Sequence, residues 1–244
     1  CHTRRQRQMC IRDSYYPLCT LMLAGIREFL IITTPDYKEA FKNLLGDGSK
    51  WGIDINYKVQ KTPDGIASAL ILGEEFLNNS PSALILGDNL FHGENLGKNL
   101  ENANKDNDNS TVFAYKVSDP ERYGVLEFNQ SGGIKSIEEK PKNPKTKYAI
   151  TGLYFYDKDA PKKCKTLNPS KRGELEITDL NKLYLQEKKL KVSVIGRGMT
   201  WLDTGTFDSL HQASSFIRTL EKRQGQKVCS CLLYTSDAAD ECDS

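Results

Sequence analysis

Asp88 follows the continuously apolar run Ala83-Leu84-Ile85-Leu86 and a glycine, so a buried strand would end in a carboxylate. In open α/β sheets ligands sit beyond the carboxyl ends of the strands, and an acid there can share a divalent cation with bound phosphates. Asp203 repeats the arrangement after Trp201-Leu202, just ahead of a helical pattern that begins behind Thr206. Two acids far apart in sequence, each at a strand mouth, fit a magnesium-nucleotide site, because Mg2+ accepts few hard protein ligands when phosphates complete its shell. Taken singly, Asp88 fits a turn cap equally well, and Asp203 fits one better. Glu139 and Lys140 close the run that starts at Ser136 with a carboxylate beside an ammonium. That pair suits sugar hydroxyls and phosphate, or a solvated edge. Arg172, in Lys171-Arg172-Gly173-Glu174, is a fixed cation ahead of a helical pattern and suits a phosphate monoester.

Other chemistries lack their residues. The three histidines, His2, His92 and His211, are not spaced as metal ligands, and no Cys-x-x-Cys, His-Glu-x-x-His, Gly-x-Ser-x-Gly or Walker loop occurs. Gly46-Asp47-Gly48-Ser49-Lys50 follows a helical pattern rather than a strand, so it reads as a helix-ending turn.

Positioning such groups takes alternating strands and helices, and the patterning supplies them. β-branched runs at 29–34, 55–59, 83–86 and 111–115 alternate with stretches of three-and-four spacing, which predicts βα units and an α/β fold with a mainly parallel sheet and helices on both faces. The 29–34 and 83–86 runs are apolar throughout, the mark of strands covered on both faces. Helices are expected after Pro17, from Tyr37 to Leu45, from Ile66, from Leu175 to Leu185, and from Phe207 behind the N-cap Thr206, with their apolar stripes in the core. Between 123 and 156 the helical signal disappears, and Gly124–Phe128, Ile134–Ile137 and Ala149–Tyr156 predict a smaller antiparallel portion.

The chain has 244 residues, with 34 Lys+Arg against 32 Asp+Glu, 38% hydrophobic and 27% charged residues. That balance argues against nucleic-acid binding by bulk charge and against disorder, and no apolar run is long enough for a membrane span. A cytoplasmic protein is expected. Five of the seven cysteines lie near the ends, leaving Cys19 and Cys164 in the body. The ends also differ in charge: residues 1–14 carry +3, residues 229–244 carry −4, and the body +3. Both ends resemble translated sequencing-library adapters, so 1–14 and 229–244 are expected to be non-native tails around a 15–228 domain.

Ordered along the chain, YYPLCTLMLAGI, LLGDGSKWGI, YKVQKTPDGIASAL, LILGDNLFHG, DPERYGVLEF, EEKPKNPKTKYAITGLYFYD, RGELEITDLN and GRGMTWLDTGTFDSL resemble consecutive blocks of the glucose-1-phosphate thymidylyltransferases, a family of sugar nucleotidyltransferases. The likeness runs from Tyr15 to about Val228. It implies a Rossmann-like nucleotide-diphospho-sugar transferase fold and the synthesis of dTDP-glucose and pyrophosphate from dTTP and glucose 1-phosphate, the first step toward dTDP-rhamnose and related deoxysugars. A phosphate oxygen of the sugar phosphate would attack the α-phosphorus directly, with Mg2+ and cationic side chains stabilising the developing charge.

The resemblance also implies roles. Gln60 and Gly65, with Pro63 and Asp64 shaping the loop, would meet the thymine. Asp88 and Asp203 would hold Mg2+. Tyr123, Gly124, Glu139, Lys140, Ile150, Gly152 and Tyr154 would line the sugar pocket, with Lys140 reaching phosphate, Arg172 would hold the sugar's phosphate, and Trp201 would pack beneath the Asp203 loop. Family members are usually homotetramers with feedback control at a subunit interface.

The match fails at the front. The family begins with a strand, a Gly-rich LAGGxGTRLxPxT loop that wraps the triphosphate and a lysine-bearing SKQLLP segment, and residues 1–14 match none of these. The family's first strand lies between the 29–34 and 83–86 strands, so unpaired backbone is expected on both sides of its place. A polypeptide of these 244 residues alone is therefore expected to be poorly soluble or inactive, and pyrophosphate release from dTTP and glucose 1-phosphate would overturn that. Two alternatives stay open: a transferase using UTP, CTP or ATP, since thymine and uracil differ by one methyl, and a non-catalytic sugar-nucleotide-binding subunit.

Overall fold

The computed structural model describes residues 4–225 and Val228, with side chains from Ser14 onward. The chain opens on α1 (Arg4–Leu23), β1 (Glu28–Thr33), α2 (Lys38–Leu45), β2 (Asp54–Val59), α3 (Ala67–Leu77), β3 (Ser82–Ile85), β4 (Asn89–Gly93) and α4 (Leu96–Asn104). It continues through β5 (Ser110–Lys116), β6 (Gly124–Phe128), β7 (Ile134–Glu139), β8 (Tyr148–Tyr156), α5 (Ala160–Cys164), α6 (Ile177–Gln186), β9 (Leu190–Val194), β10 (Met199–Asp203) and α7 (Phe207–Gln224). No described helix is long and apolar enough to cross a membrane.

The centre is β8, whose residues alternate between two cores. Ala149, Leu153 and Phe155 pack with α1, β4 and α4, while Ile150, Tyr154 and Tyr156 pack with α3, α5 and α6. Along one edge β8 pairs antiparallel with β5, which pairs parallel with β9. The opposite edge is divided: β3 takes Leu153 to Tyr156, and β6, followed by β7, takes Tyr148 and Ala149. Between those two partners the edge opens at Ile150 to Gly152, and that opening becomes part of the site.

The α/β class is as expected, with helices on both faces, but the balance of strand directions is not. Among the described residues only β1 with β2 and β5 with β9 pair parallel; β8 inserts antiparallel among β3, β5 and β6, and β10 with β4 forms a separate antiparallel ribbon. Hydrophobic periodicity reports which face of a strand is covered and carries no information on the direction of its neighbour.

Three finer expectations change. β1 and β3 are not buried on both faces: in β1 Phe29 alone is fully buried, and β3 is half-buried throughout, because among the described residues β1 pairs with β2 only, β3 with β8 only, and a cleft lies between them. Pro17 is inside α1 rather than in its first turn, because the helix begins at Arg4 and runs through the 14/15 position. Phe207 is 88% exposed rather than core, because it occupies the first turn of α7, ahead of the stripe that docks through Ala213 and Ile217. The strands β4 and β9 and the helix α4 carry no pattern strong enough to have been expected. Residues 229–244 lie outside the described residues.

Candidate active site

A cleft of about 890 Å3 lies between the facing sides of β1 and β3, where the family resemblance places a first strand, and continues over the opened edge of β8. Gln60, Pro63, Gly65, Asp88, Asp203 and Trp201 line it together with Tyr123, Gly124, Glu139, Lys140, Ile150, Gly152, Tyr154 and Arg172. Of the residues singled out from the sequence, only Asp64 is not among its walls.

The loop after β2 is held by backbone. Leu175 N–H donates to Asp64 O at 2.7 Å and Ala67 N–H to Leu175 O at 3.2 Å, so the loop is laced to the segment preceding α6. Gly65 has φ +98°, and a Cβ there would lie 2.4 Å from Leu175 O. The close approach that requires glycine is therefore to protein backbone. Asp64 works inside the loop, its carboxylate accepting from Thr62 Oγ1 at 2.7 Å. Gln60 Nε2 donates to Ser68 Oγ at 2.7 Å, and that hydroxyl donates to Gly65 O at 2.5 Å. The glutamine amide is thus fixed at the rim of the cleft by a serine on α3 that the sequence did not single out.

Asp88 and Asp203 meet across 115 residues because β4 and β10 pair antiparallel, with Asp203 opposite Asn89. Thr204 closes the junction, its N–H and its Oγ1 both donating to Asp88 O, at 2.8 and 2.9 Å. The two carboxylates face one small gap: a methyl group on Gly205 would lie 3.0 Å from Asp203 Oδ1 and 3.1 Å from Asp88 Oδ2. Burial pushes the Asp88 carboxyl above its ordinary value, the Asn89 amide pulls it partly back, and Asp203 pushes it further up. Right behind Asp203, Thr206 and Ser209 form a reciprocal capping box that starts α7 and ends the loop.

Asn89 joins three parts of the site. Buried at 4% exposure, it donates from Nδ2 to Asp88 Oδ1 at 2.8 Å and accepts at Oδ1 from Trp201 Nε1 at 2.5 Å and from Gly152 N–H at 3.0 Å. A Cβ on Gly152 would lie 2.7 Å from that amide, so glycine is required for β8 to come this close. Trp201 packs edge-on against Tyr123 and Tyr115 beneath the Asp203 loop.

Glu139, also in the lining, accepts from Thr178 Oγ1, a side chain on the first turn of α6. Lys140 follows in a left-handed conformation, φ +42°, with its N–H on Tyr123 O at 3.0 Å. Gly124 leaves room between Thr178 and Glu139. Arg172 is held by Glu176, which accepts from both Nε and Nη2, with Glu174 at 3.3 Å and Glu139 at 3.9 Å, and its pKa is raised by that hydrogen bonding. Neither Glu174 nor Glu176 was singled out from the sequence, although both stand in the same short block as Arg172.

Arg122 was also missed. Its guanidinium donates to Asp119 Oδ2 and to Asp203 Oδ2, each at 3.0 Å, beside Tyr123, whose hydroxyl donates to the same Asp203 oxygen at 3.1 Å. The Asp-Pro-Glu-Arg-Tyr-Gly string offered a signal, since Arg122 directly precedes two residues assigned to the sugar pocket.

The donor set suits a hard divalent cation that keeps most of its shell for other ligands: two carboxylates, oxygen donors only, and no cluster of three or more His, Cys, Asp or Glu side chains suited to a metal among the described residues. A wholly protein-built cage is not present among them.

Residues 2–219 match the family model described as nucleotidyl transferase. A glucose-1-phosphate thymidylyltransferase of Xanthomonas campestris pv. campestris (strain B100) is 54% identical over 215 residues, covering 88% of this chain and 73% of that protein. One from Neisseria meningitidis is 53% identical over 218 residues, covering 89% and 75%. Among solved structures, a Bacillus anthracis protein assigned to glucose-1-phosphate thymidylyltransferase, in complex with sucrose, superposes with a TM-score of 0.76 at 38% identity, covering 84% of this chain and 81% of that one. A UDP-glucose pyrophosphorylase with bound UDP-glucose shares the fold at 24% identity and a TM-score of 0.69, covering 85% and 86%.

Proposed function

This chain belongs to the glucose-1-phosphate thymidylyltransferase family of nucleotidyl transferases, and from that premise we propose that dTTP and glucose 1-phosphate meet in the cleft and leave as dTDP-glucose and pyrophosphate. The single observation that carries this reading is the convergence of the Gln60 loop, the Asp88/Asp203 pair, and Glu139 with Arg172 on one cleft.

The thymine lies against Gln60 and Gly65, where the fixed amide of Gln60 reads the base edge. Glu139 accepts from glucose hydroxyls and Lys140 reaches phosphate. Ile150, on the opened edge of β8, gives the sugar an apolar floor, Gly152 lets that edge sit against Asn89, and Tyr154 closes the pocket. Arg172 leaves part of its carboxylate cluster to take the sugar's phosphate, which its planar fork suits. The phosphate oxygen then forms a bond to the α-phosphorus of dTTP as the bond to pyrophosphate breaks, so no protein nucleophile is used and positioning carries the rate.

Asp88 and Asp203 would hold Mg2+, which when bound supplies positive charge against the phosphates. The reading is tested with the full-length product of the gene and a panel of dTTP, UTP, CTP and ATP, each with glucose 1-phosphate. Formation of dTDP-glucose and pyrophosphate, abolished by a chelator and restored by Mg2+, is expected. Turnover with ATP or CTP in preference to dTTP would overturn the nucleotide assignment, and tight binding of dTDP-glucose with no turnover of any pair would overturn the reaction.

A further inference from the structure

Arg122 stands on the carboxylate that the reading above gives to the metal. It ends a single 3-10 turn, Pro120–Arg122, and lines the cleft. Its guanidinium bridges two acids, with Nη1 on Asp119 Oδ2 and Nη2 on Asp203 Oδ2, and its Cζ lies 5.2 Å from the centre of the Tyr123 ring. Asp203 is 15% exposed and Asp119 40%, so the arginine joins a sheltered acid in the site to a more open one outside it.

Such a bridge has two resting places for one cation. Asp203 keeps Oδ1 toward Asp88, while Oδ2 carries the guanidinium and the Tyr123 hydroxyl. Without Arg122, two carboxylates would share a small partly buried gap with only neutral donors on them, the Tyr123 hydroxyl and the Gly205 N–H on Asp203 and the Asn89 amide on Asp88, and like charges so placed repel. A divalent cation arriving at the pair removes the need for that counter-charge and repels the guanidinium. Asp119 holds the arginine by its other arm as it leaves.

We propose that Arg122 is the resident counter-cation of the Asp88/Asp203 pair, displaced toward Asp119 when a divalent cation binds, so that the Arg122–Asp203 ion pair and the bound cation exclude one another. This rests on the carboxylate-pair reading of the metal site. It makes Arg122 a positioning residue whose occupancy of Asp203 is linked to that of the metal.

The test measures binding of Mn2+ alone, by electron paramagnetic resonance of the free ion, to the parent protein and to Arg122→Ala, Asp119→Asn, the double variant and Asp203→Asn. Arg122→Ala is expected to bind Mn2+ about threefold more tightly, the size of an ion pair of moderate exposure. A merely structural contact, once lost, would leave affinity unchanged or weaker. Asp119→Asn is expected to weaken binding more in the parent than in the Arg122→Ala background, because only with the arginine present does losing its second resting place drive it onto Asp203. Equal effects of Asp119→Asn in both backgrounds, or no tightening in Arg122→Ala while Asp203→Asn loses Mn2+, would overturn the proposal and leave the metal site standing. Mn2+ binding unaffected by Asp203→Asn would overturn the metal site and the proposal with it.

Discussion

Asn89 Oδ1 accepts from Trp201 Nε1 at 2.5 Å, a buried bond between side chains 112 positions apart. The same oxygen takes Gly152 N–H, and the amide nitrogen of Asn89 holds Asp88. One side chain therefore fixes the distances between the Asp88 carboxylate, the opened edge of β8 and the strand that carries Asp203.

Asn89→Ala should leave the indole N–H and the Gly152 N–H without their acceptor, at a cost of about 1–3 kcal/mol for each orphaned buried group. Urea unfolding will measure the loss. Asn89→Asp keeps an acceptor but forfeits the donor to Asp88 and sets two carboxylates side by side, so turnover should fall further than stability. A variant with parental turnover would show that Asp88 does not depend on this bond.

Gly65→Ala combines a left-handed backbone with a Cβ 2.4 Å from Leu175 O, and backbone cannot swing aside. Strain of this kind costs about 1–3 kcal/mol before the clash is counted. The loop should detach from the segment before α6, raising KM for dTTP and lowering Tm. An unchanged KM would mean that the loop does not contact the nucleotide.

Asp88 has a folded pKa above its ordinary 3.8, raised by burial first and opposed by Asn89. Its ionised form is therefore disfavoured by folding: the associated stability is complete below pH 3.8 and is lost as pH rises through the folded value. At pH 7 Asp88→Asn should melt at a higher temperature than the parent, with the difference shrinking as pH is lowered toward 3.8. Turnover should meanwhile drop by roughly a hundredfold or more, as expected when a metal ligand is removed. A lower Tm at pH 7 would contradict the burial cost.

Arg172→Lys keeps one charge and loses the fork, and hydrogen bonds to charged groups contribute about 1.5–3 kcal/mol. KM for glucose 1-phosphate should rise at least about tenfold, with KM for dTTP little changed. Equal effects on both substrates would place Arg172 in general electrostatics rather than on the sugar phosphate.

Much of the fold was legible because its signals are local. The patterns at 29–34, 55–59, 111–115 and 123–156 each lie within a residue or two of an observed strand, and Thr206 caps α7 as its side chain required. What stayed hidden depends on neighbours distant in the chain. β4 and β9 are five-residue strands of mixed polarity, and Phe207 looks like core until the helix it begins is docked.

Sequence by itself determined the chemistry on offer: two acids behind apolar runs, an acid beside a lysine, an arginine before a helix, and blocks whose order marked the family. Residue type and local spacing suffice for that, since charge, hydrogen-bonding capacity and helical or extended preference belong to the residue and its near neighbours. Tertiary structure alone decided that Asp88 and Asp203 share one gap, that Gly65 comes up against the Leu175 backbone, that Arg172 rests among three glutamates, and that Arg122 and Asn89 belong to the site at all. Apart from Glu174 and Glu176, which lie two and four positions from Arg172, these are contacts across 33 to 115 positions, and long-range pairing is set by strand register and packing, which no local pattern encodes.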